Sequence, residues 1–324
     1  MMTKKRNVVK RIQDNNDLTV YYGSDNHYTV KVLDDNGNAA GNVNVAFAVG
    51  GKSYEGFTDS NEYASLNADQ SHDVYTVSAS YKGFSVKNTM TVKSTISLPS
   101  ATTVYTYNSV YKASFLDKSG NLFSGKVAYI VNGVKSEVNV ADGLNVALDP
   151  GSHAVSVINL LTGEVKNQTI NVVKRITENK DLTTYYSAES SFKVKVLDDN
   201  GNAARNVSVA FTVGSKSYTG VTDSNGYASL NINLPSDGYT VSASYKGFSV
   251  KNTLTVKSTI DMPSSTVYTY NSVYRPTFLD KSGNKFTGKV AIVLNGIRNE
   301  VNAGDGVSIV LNPGSYSVSA INLL

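Results

Sequence analysis

The chain has 324 residues, enough for two to four ordinary domains, and contains no cysteine and no tryptophan, which excludes disulfide scaffolds and thiolate metal sites. Its net charge is +4, but Lys4, Lys5 and Arg6 carry three of those charges, so the pI of 8.9 describes a short basic tail and does not argue for a nucleic-acid surface; no nucleic-acid partner is expected. No run approaches 18 apolar residues, so no segment reads as a membrane-spanning helix.

Taken in chain order, the sequence repeats itself. Met1–Arg6 has no counterpart elsewhere and reads as sequence added to or cut from the repeat, and with no apolar run behind it this start is not expected to be a signal peptide. Asn7-Val8-Val9-Lys10-Arg11-Ile12 recurs as Asn171–Ile176. The block Ser78–Ile96 recurs at Ser242–Ile260 with one change, Met90 to Leu254. A shorter period lies inside this one: Leu-Asp-x-x-Gly-Asn appears four times, at Gly37, Gly120, Gly201 and Gly283, about 82 residues apart. The expected organisation is a stub of a preceding repeat over residues 1–10 and four modules of alternating type. These are type A over 11–93, type B over 94–174, type A over 175–257 and type B over 258–324. The fourth is expected to lack the strand equivalent to Glu164–Val173, leaving it the least stable or open to a neighbouring molecule. Both ends thus read as an excerpt of a longer array.

Within a module the third copy is clearest. Phe192, Val194 and Val196 alternate with polar residues, as do Val207, Val209, Phe211 and Val213, and then Tyr239, Val241, Ala243 and Tyr245. Period-two alternation predicts strands with one buried face. Segments 182–186, 216–222, 227–232 and 251–256 complete seven strands, and no window has helical periodicity with caps. Asn-Gly and Gly-Ser pairs mark the turns. Seven short strands with such spacing predict an all-β, two-sheet antiparallel sandwich. Run as consecutive hairpins, its loops near Asp198, Asp223 and Lys246 share the N-terminal pole. Tyr239 and Tyr316 each open a strand after a turn, where a tyrosine corner or a plain core aromatic would stand. The joints carry no Gly/Ser linker, which predicts a stiff, elongated rod of tandem modules.

Chemistry is sparse. His27, His72 and His153 are each replaced in the partner module, by Ser191, Ser236 and Tyr316, so no histidine is retained for catalysis or metal binding. No nucleophile elbow or phosphate loop occurs. The expectation is no enzyme, no cofactor and no metal. Asp34, Asp35 and Asp59, with Asp198, Asp199 and Asp223, are the candidate ligands should Ca²⁺ bind, against their use as plain turn residues. Type B modules place Lys118 and Lys281 at the second of these positions. Tyr21-Tyr22, Tyr185-Tyr186, Tyr105, Tyr107, Tyr268 and Tyr270 could present rings to a sugar or protein, or could be ordinary strand aromatics.

The blocks Thr29–Phe47 and Tyr218–Ile232, followed by Asp237–Gly247, resemble the Ig-like repeats of adhesin-like surface proteins of methanogens and, more loosely, invasin-type bacterial modules. That resemblance implies Ig-like β-sandwich domains in an extracellular, archaeal cell-surface protein involved in cell adhesion. It implies a stalk that presents a binding region away from the cell to a surface protein or glycan of a host or neighbouring cell. The segment itself would be soluble and monomeric and the whole protein cell-anchored. Carbohydrate- or protein-binding modules using the outward tyrosines, and spacer modules of a larger surface enzyme, are the alternatives.

Overall fold

The computed structural model describes residues 3–324. All its regular structure is β, with no helix among the described residues. The alternation read from sequence sets the burial: His27–Val32, Asn44–Val49, Ser191–Val196 and Ser208–Val213 each send every second side chain inward. Four separate apolar cores result. In the A modules an edge-to-face aromatic pair bridges the sheets, Tyr28 on Phe47 at 6.1 Å and Phe192 on Phe211 at 6.2 Å.

Each A module is a sandwich of three strands on five. In the third, one sheet orders Ile176–Thr177, Ser191–Val196 and Tyr227–Asn231. The other orders Leu182–Tyr185, Phe248–Lys257, Asp237–Tyr245, Ser208–Val213 and Lys216–Val221. The first module repeats this strand for strand, from Ile12–Gln13 to Phe84–Lys93. This is an Ig-like arrangement.

Two features depart from the expected hairpin sandwich. Only two links between the seven strands are true hairpins, because the chain changes sheets at the other four. The sandwich is also not wholly antiparallel. Leu18–Tyr21 runs parallel to Phe84–Lys93, from Leu18↔Met90 to Tyr21↔Lys93, and Leu182–Tyr185 does the same with Phe248–Lys257. Direction alternates along seven strands, so the first and last point the same way and can pair only in parallel. The entry strand reaches that edge by breaking in two. Glu178, at φ 53°, kinks the chain out of Ile176–Thr177, and the Asp181 carboxylate accepts the Thr253 N–H at 2.8 Å to pin the second half. Asp14 and Asp17 do the same in the first module. The two-residue first strands escaped the period-two reading because they are too short to alternate.

In the second module a five-stranded sheet orders Val104–Thr106, Val165–Val173, Gly151–Ile158, Lys126–Val131 and Val134–Asn139. Its facing layer is two short pairs, Ile96–Ser97 with Ser114–Phe115 and Ser109–Tyr111 with Leu144–Val146. The fourth module keeps only Ile297–Asn302, Lys289–Leu294 and Val318–Asn322 in its larger sheet.

The corner contact is built in every module, by a tyrosine in three of them. Tyr239 donates to the Pro235 carbonyl at 3.0 Å, Tyr316 to Asn312 at 2.8 Å and Tyr75 to Ser71 at 2.9 Å. In the second module His153 takes the place, its Nε2 on the Asp149 carbonyl at 2.8 Å, which assigns the proton to Nε2 and leaves Nδ1 to accept from Asn132. The ring therefore serves a turn, four residues back in each case. We predict that Tyr239→Phe costs about 1 kcal/mol, and that His153→Tyr keeps the corner while His153→Ala loses it. Urea unfolding curves of the three variants check this, and equal stability of His153→Ala and the parent would refute it.

By contact density the chain falls into two compact units. One comprises the residues up to Tyr105 with Ser109–Val172, the other Thr106–Asn108 with Val173–Leu324. Each unit holds one A and one B module.

Candidate functional site

Two places gather the chemistry-bearing residues: the N-terminal pole of each A module, and the A-to-B joint inside each unit.

At the pole, the Leu-Asp-x-x-Gly-Asn loop has one geometry in all four copies. A single bridge closes it, Leu33↔Ala39, Leu116↔Leu122, Leu197↔Ala203 and Leu279↔Lys285. The first aspartate caps the loop from within. Asp34 Oδ1 accepts the N–H groups of Asn36 and Asn38 at 2.9 and 2.8 Å, and Asp198 those of Asn200 and Asn202, both at 2.9 Å. Asp59 and Asp223 cap the neighbouring loop in the same way, through Asn61 with Tyr63 and Asn225 with Tyr227. The backbone N–H groups of Asn121 and Tyr227 hold Asp117 and Asp223 below the usual carboxylate range.

The second aspartate does different work. Asp35 lies between Lys82 at 3.0 Å and Arg11 at 2.8 Å, and these two cations, Lys82 first, hold its carboxyl low. Asp199 sits between Lys246 at 2.9 Å and the fully buried guanidinium of Arg175 at 2.8 Å. Burial raises the Asp199 carboxyl, but Lys246 and Arg175 outweigh it and hold it low. The expected convergence of the Asp198, Asp223 and Lys246 loops on one pole is what the chain does, since Val196 also takes the Gly226 carbonyl at 2.8 Å. Of the six candidate Ca²⁺ ligands, four cap their own turns and two are each clasped by a lysine and an arginine. No group of three or more His, Cys, Asp or Glu side chains among the described residues is placed to hold a metal ion.

The joint was not foreseen. Tyr21 ends the strand Leu18–Tyr21, and its ring lies against Gly120 of the next module's loop, so closely that a Cβ on Gly120 would fall 2.1 Å from Cε2. Tyr185 and Gly283 repeat the contact, at 2.3 Å. Lys93 and Lys257 stand over the same rings, at 5.7 and 5.8 Å from the centroids. Beside them Lys118 donates to Asp25 at 3.1 Å, and Lys281 reaches Glu189 at 3.5 Å. The lysines that broke the acidic pattern in the B modules are thus the cationic half of the joint.

This changes the reading of the tyrosines. Tyr21 and Tyr185 face out of their own modules only to be covered by the next one. Tyr105 is buried and Tyr22 packs on the first core. Tyr268 packs on the fourth core, and Tyr107 is half-buried. Tyr186 and Tyr270 remain open, 47% and 65% exposed.

Unit one carries a further element at its joint. Glu164 is 2% exposed, and its carboxylate accepts from Thr95 N at 2.6 Å, Thr95 Oγ1 at 2.7 Å and Ser94 Oγ at 2.7 Å. His72 Nδ1 stands 3.2 Å away, so this histidine is engaged rather than an ordinary surface residue. Asn159, also buried, donates to Thr95 Oγ1 at 3.1 Å and to the Leu116 carbonyl at 2.9 Å. The signal for this cluster was the change at one aligned position, Arg11 and Arg175 in A modules against Thr95 and Thr259 in B modules. An A module meets its loop with a cation, and the second module meets its own with a hydroxyl and a buried acid.

Against known proteins, residues 160–263, about a third of the chain, match macroglobulin domain MG4. That span holds the whole third module. No protein of curated function matches. Among solved structures, the chain is similar to a Ca²⁺-stabilized adhesin with which an Antarctic bacterium binds ice. Identity there is 16%, covering 94% of this chain and 88% of that one at a TM-score of 0.19. It is similar to domains 1–6 of the surface layer protein SbsC, at 15% identity, 98% and 53% coverage and a TM-score of 0.21. It is also similar to the I9–I11 tandem of titin, at 13% identity, 78% and 99% coverage and a TM-score of 0.32.

Proposed function

We propose that the chain is a structural stalk segment of an extracellular cell-surface protein of adhesive function, and that it performs no catalysis. The supporting observation is the joint built twice from the same parts, Tyr21 on Gly120 and Tyr185 on Gly283, each flanked by a lysine–carboxylate pair. A joint of this kind spends an aromatic ring and two charges on fixing one module against the next, which is what a spacer requires and a freely jointed string of domains does not. The aspartates of the poles act as turn caps and ion-pair partners, and the binding of a foreign protein or glycan belongs to regions outside these modules.

Small-angle scattering on the whole chain tests the stalk. A radius of gyration well beyond the ~20 Å of a globule of this length is expected, and a value near 20 Å would overturn the reading. A glycan array is the companion measurement. No binding is expected, and saturable binding abolished by Tyr186→Ala or Tyr270→Ala would transfer the function to the open tyrosines.

A further inference from the structure

Each type B module ends its larger sheet on the same kind of strand. In the second module Val134–Asn139 is outermost, paired with Lys126–Val131 on one side and with no described strand on the other. In the fourth, Ile297–Asn302 is outermost beside Lys289–Leu294. The two-residue turn Asn132-Gly133, at φ 49° and 81°, makes Val131 and Val134 the hydrogen-bonded pair that closes the hairpin. Main-chain groups alternate in direction along a strand, so Val134, Ser136 and Val138 turn theirs to Lys126–Val131. Lys135 and Glu137 therefore turn theirs to the open edge. Arg298 and Glu300 stand the same way beyond the Asn295-Gly296 turn. Asn139 and Asn302 are already committed, since their carbonyls accept from Asp142 at 3.0 Å and Asp305 at 2.9 Å.

The open residues carry opposite charges. Lys135 bonds Glu137 at 2.7 Å, and Arg298 bonds Glu300 at 2.9 Å. Charge on an edge ordinarily keeps other strands away. Here the pattern leaves one register. A second copy that continues the sheet antiparallel sets Lys135 opposite Lys135, Glu137 opposite Glu137, or Lys135 opposite Glu137. The first two put like charges face to face, which is destabilising. In the third each lysine meets a glutamate, the outward main-chain groups meet each other, and Val134 lies opposite Val138. Val134 is 69% exposed in the single chain, and Ile297, which would lie opposite Val301, is 65% exposed. The A modules lack the pattern, with Ser53 and Glu55, or Ser217 and Thr219, at the corresponding positions.

We infer that the type B edges recognise a second copy of this chain, Val134–Asn139 pairing antiparallel with the same strand of its neighbour about a two-fold axis. Ile297–Asn302 enters the same pairing, with its own counterpart or with Val134–Asn139, because both strands place a cation and then an acid at the same positions. The ion pair within each strand is exchanged for two between copies. The contact is isologous and extends one sheet across two molecules. It is weak, because each strand contributes only six residues. None of these residues belongs to the Tyr21 or Tyr185 joints, so the inference is independent of the stalk reading.

Sedimentation of the full chain over a wide concentration range at low salt tests it. The parent is expected to associate reversibly, less so as salt screens the pairs, with slower hydrogen exchange at the Lys135 and Glu137 amides. Lys135→Glu with Arg298→Glu makes the edges wholly acidic, and Glu137→Lys with Glu300→Lys makes them wholly basic. Each of these chains alone should associate about tenfold or more weakly than the parent, and a mixture of the two should associate again. All four side chains are exposed, so the fold is not at risk. Glu137→Pro with Glu300→Pro removes an outward N–H from each edge without touching the hairpin bonds and should abolish association. Association in the mixture alone, with slowed exchange at position 135, supports the same edges, the parent's own ion pairs then competing with it. Monomers in both the parent and the mixture, association that charge reversal or proline leaves unchanged, or association without slowed exchange at these amides overturns it.

Discussion

Glu164→Ala is expected to destabilise the second module by about 3–5 kcal/mol, the cost typical of removing one partner from a buried charged cluster. The carboxylate is 2% exposed and is the acceptor for the Thr95 N–H and for the Thr95 and Ser94 hydroxyls, all at 2.7 Å or less. The hydroxyls can rotate to other acceptors, Thr95 Oγ1 to Thr162 Oγ1 at 2.9 Å and Ser94 Oγ to the Ile96 carbonyl at 2.8 Å. The backbone N–H of Thr95 has no such freedom, and a buried orphan donor costs about 1–3 kcal/mol by itself. Glu164→Gln keeps the shape and one acceptor oxygen but turns an amide NH₂ toward groups that are donors, so its cost should fall between the parent and alanine. His72→Ser, which copies the third module's Ser236, should matter least because the pair lies partly in water. The four modules do not form one two-state system, so the loss is read as a lowered transition for one module and as faster exchange at Thr95 and Ile96. An effect below about 1 kcal/mol would show that the cluster is not built as described.

The alternation of Phe192, Val194 and Val196 made the strands legible, because one-sided burial imposes period two directly on sequence. The shared pole was legible too, since strand direction alone brings Lys246 to Asp199. The parallel edge pair was implicit in the same alternation of direction, but Ile176–Thr177 is too short to announce a separate strand, and the kink at Glu178 needs no glycine. What escaped was the joint. Tyr21 and Gly120 are about a hundred positions apart, and although Lys118-Ser119 marks this loop off from the type A loops, nothing local says that a ring rests on its glycine. The tyrosine looked like a free aromatic because a single module shows only which face a ring leaves by, not what covers it. The internal repeat did hold the clue, since Tyr21 with Lys118 and Tyr185 with Lys281 recur together. Glu164 escaped for a different reason: a lone acid in a loop carries no mark of burial until the hydroxyls of Ser94 and Thr95 are seen to surround it.

Gly120→Ala is expected to cost more than the identical change at Gly37, although both glycines occupy the same loop position with nearly the same backbone, φ 86° and 81°. An alanine at either site must hold a left-handed conformation, a penalty of roughly 1–2 kcal/mol. At Gly37 the new methyl meets only Val9 Cγ2, at an ordinary 3.5 Å. At Gly120 it would fall 2.1 Å from Cε2 and 2.3 Å from Cζ of Tyr21, so the ring must leave its seat. Moving that ring also takes it from beneath Lys93 and disturbs the neighbouring Lys118–Asp25 pair. The excess over Gly37→Ala should therefore be a further 1–3 kcal/mol or so, the usual cost of overpacking. Tyr21→Ala separates the two terms. With the ring gone, Gly120→Ala should cost no more than Gly37→Ala, which gives a coupling energy of about 1–3 kcal/mol in a double-mutant cycle. Gly283 and Tyr185 should return the same cycle in the second unit, since the added Cβ there falls 2.3 Å from the ring. Stability is read from chemical unfolding of each variant, and the joint itself from hydrogen exchange at Leu116–Asn121. Equal costs at Gly37 and Gly120 with no coupling to Tyr21 would mean that the ring does not rest on the glycine, and the proposed stalk role would lose its supporting observation.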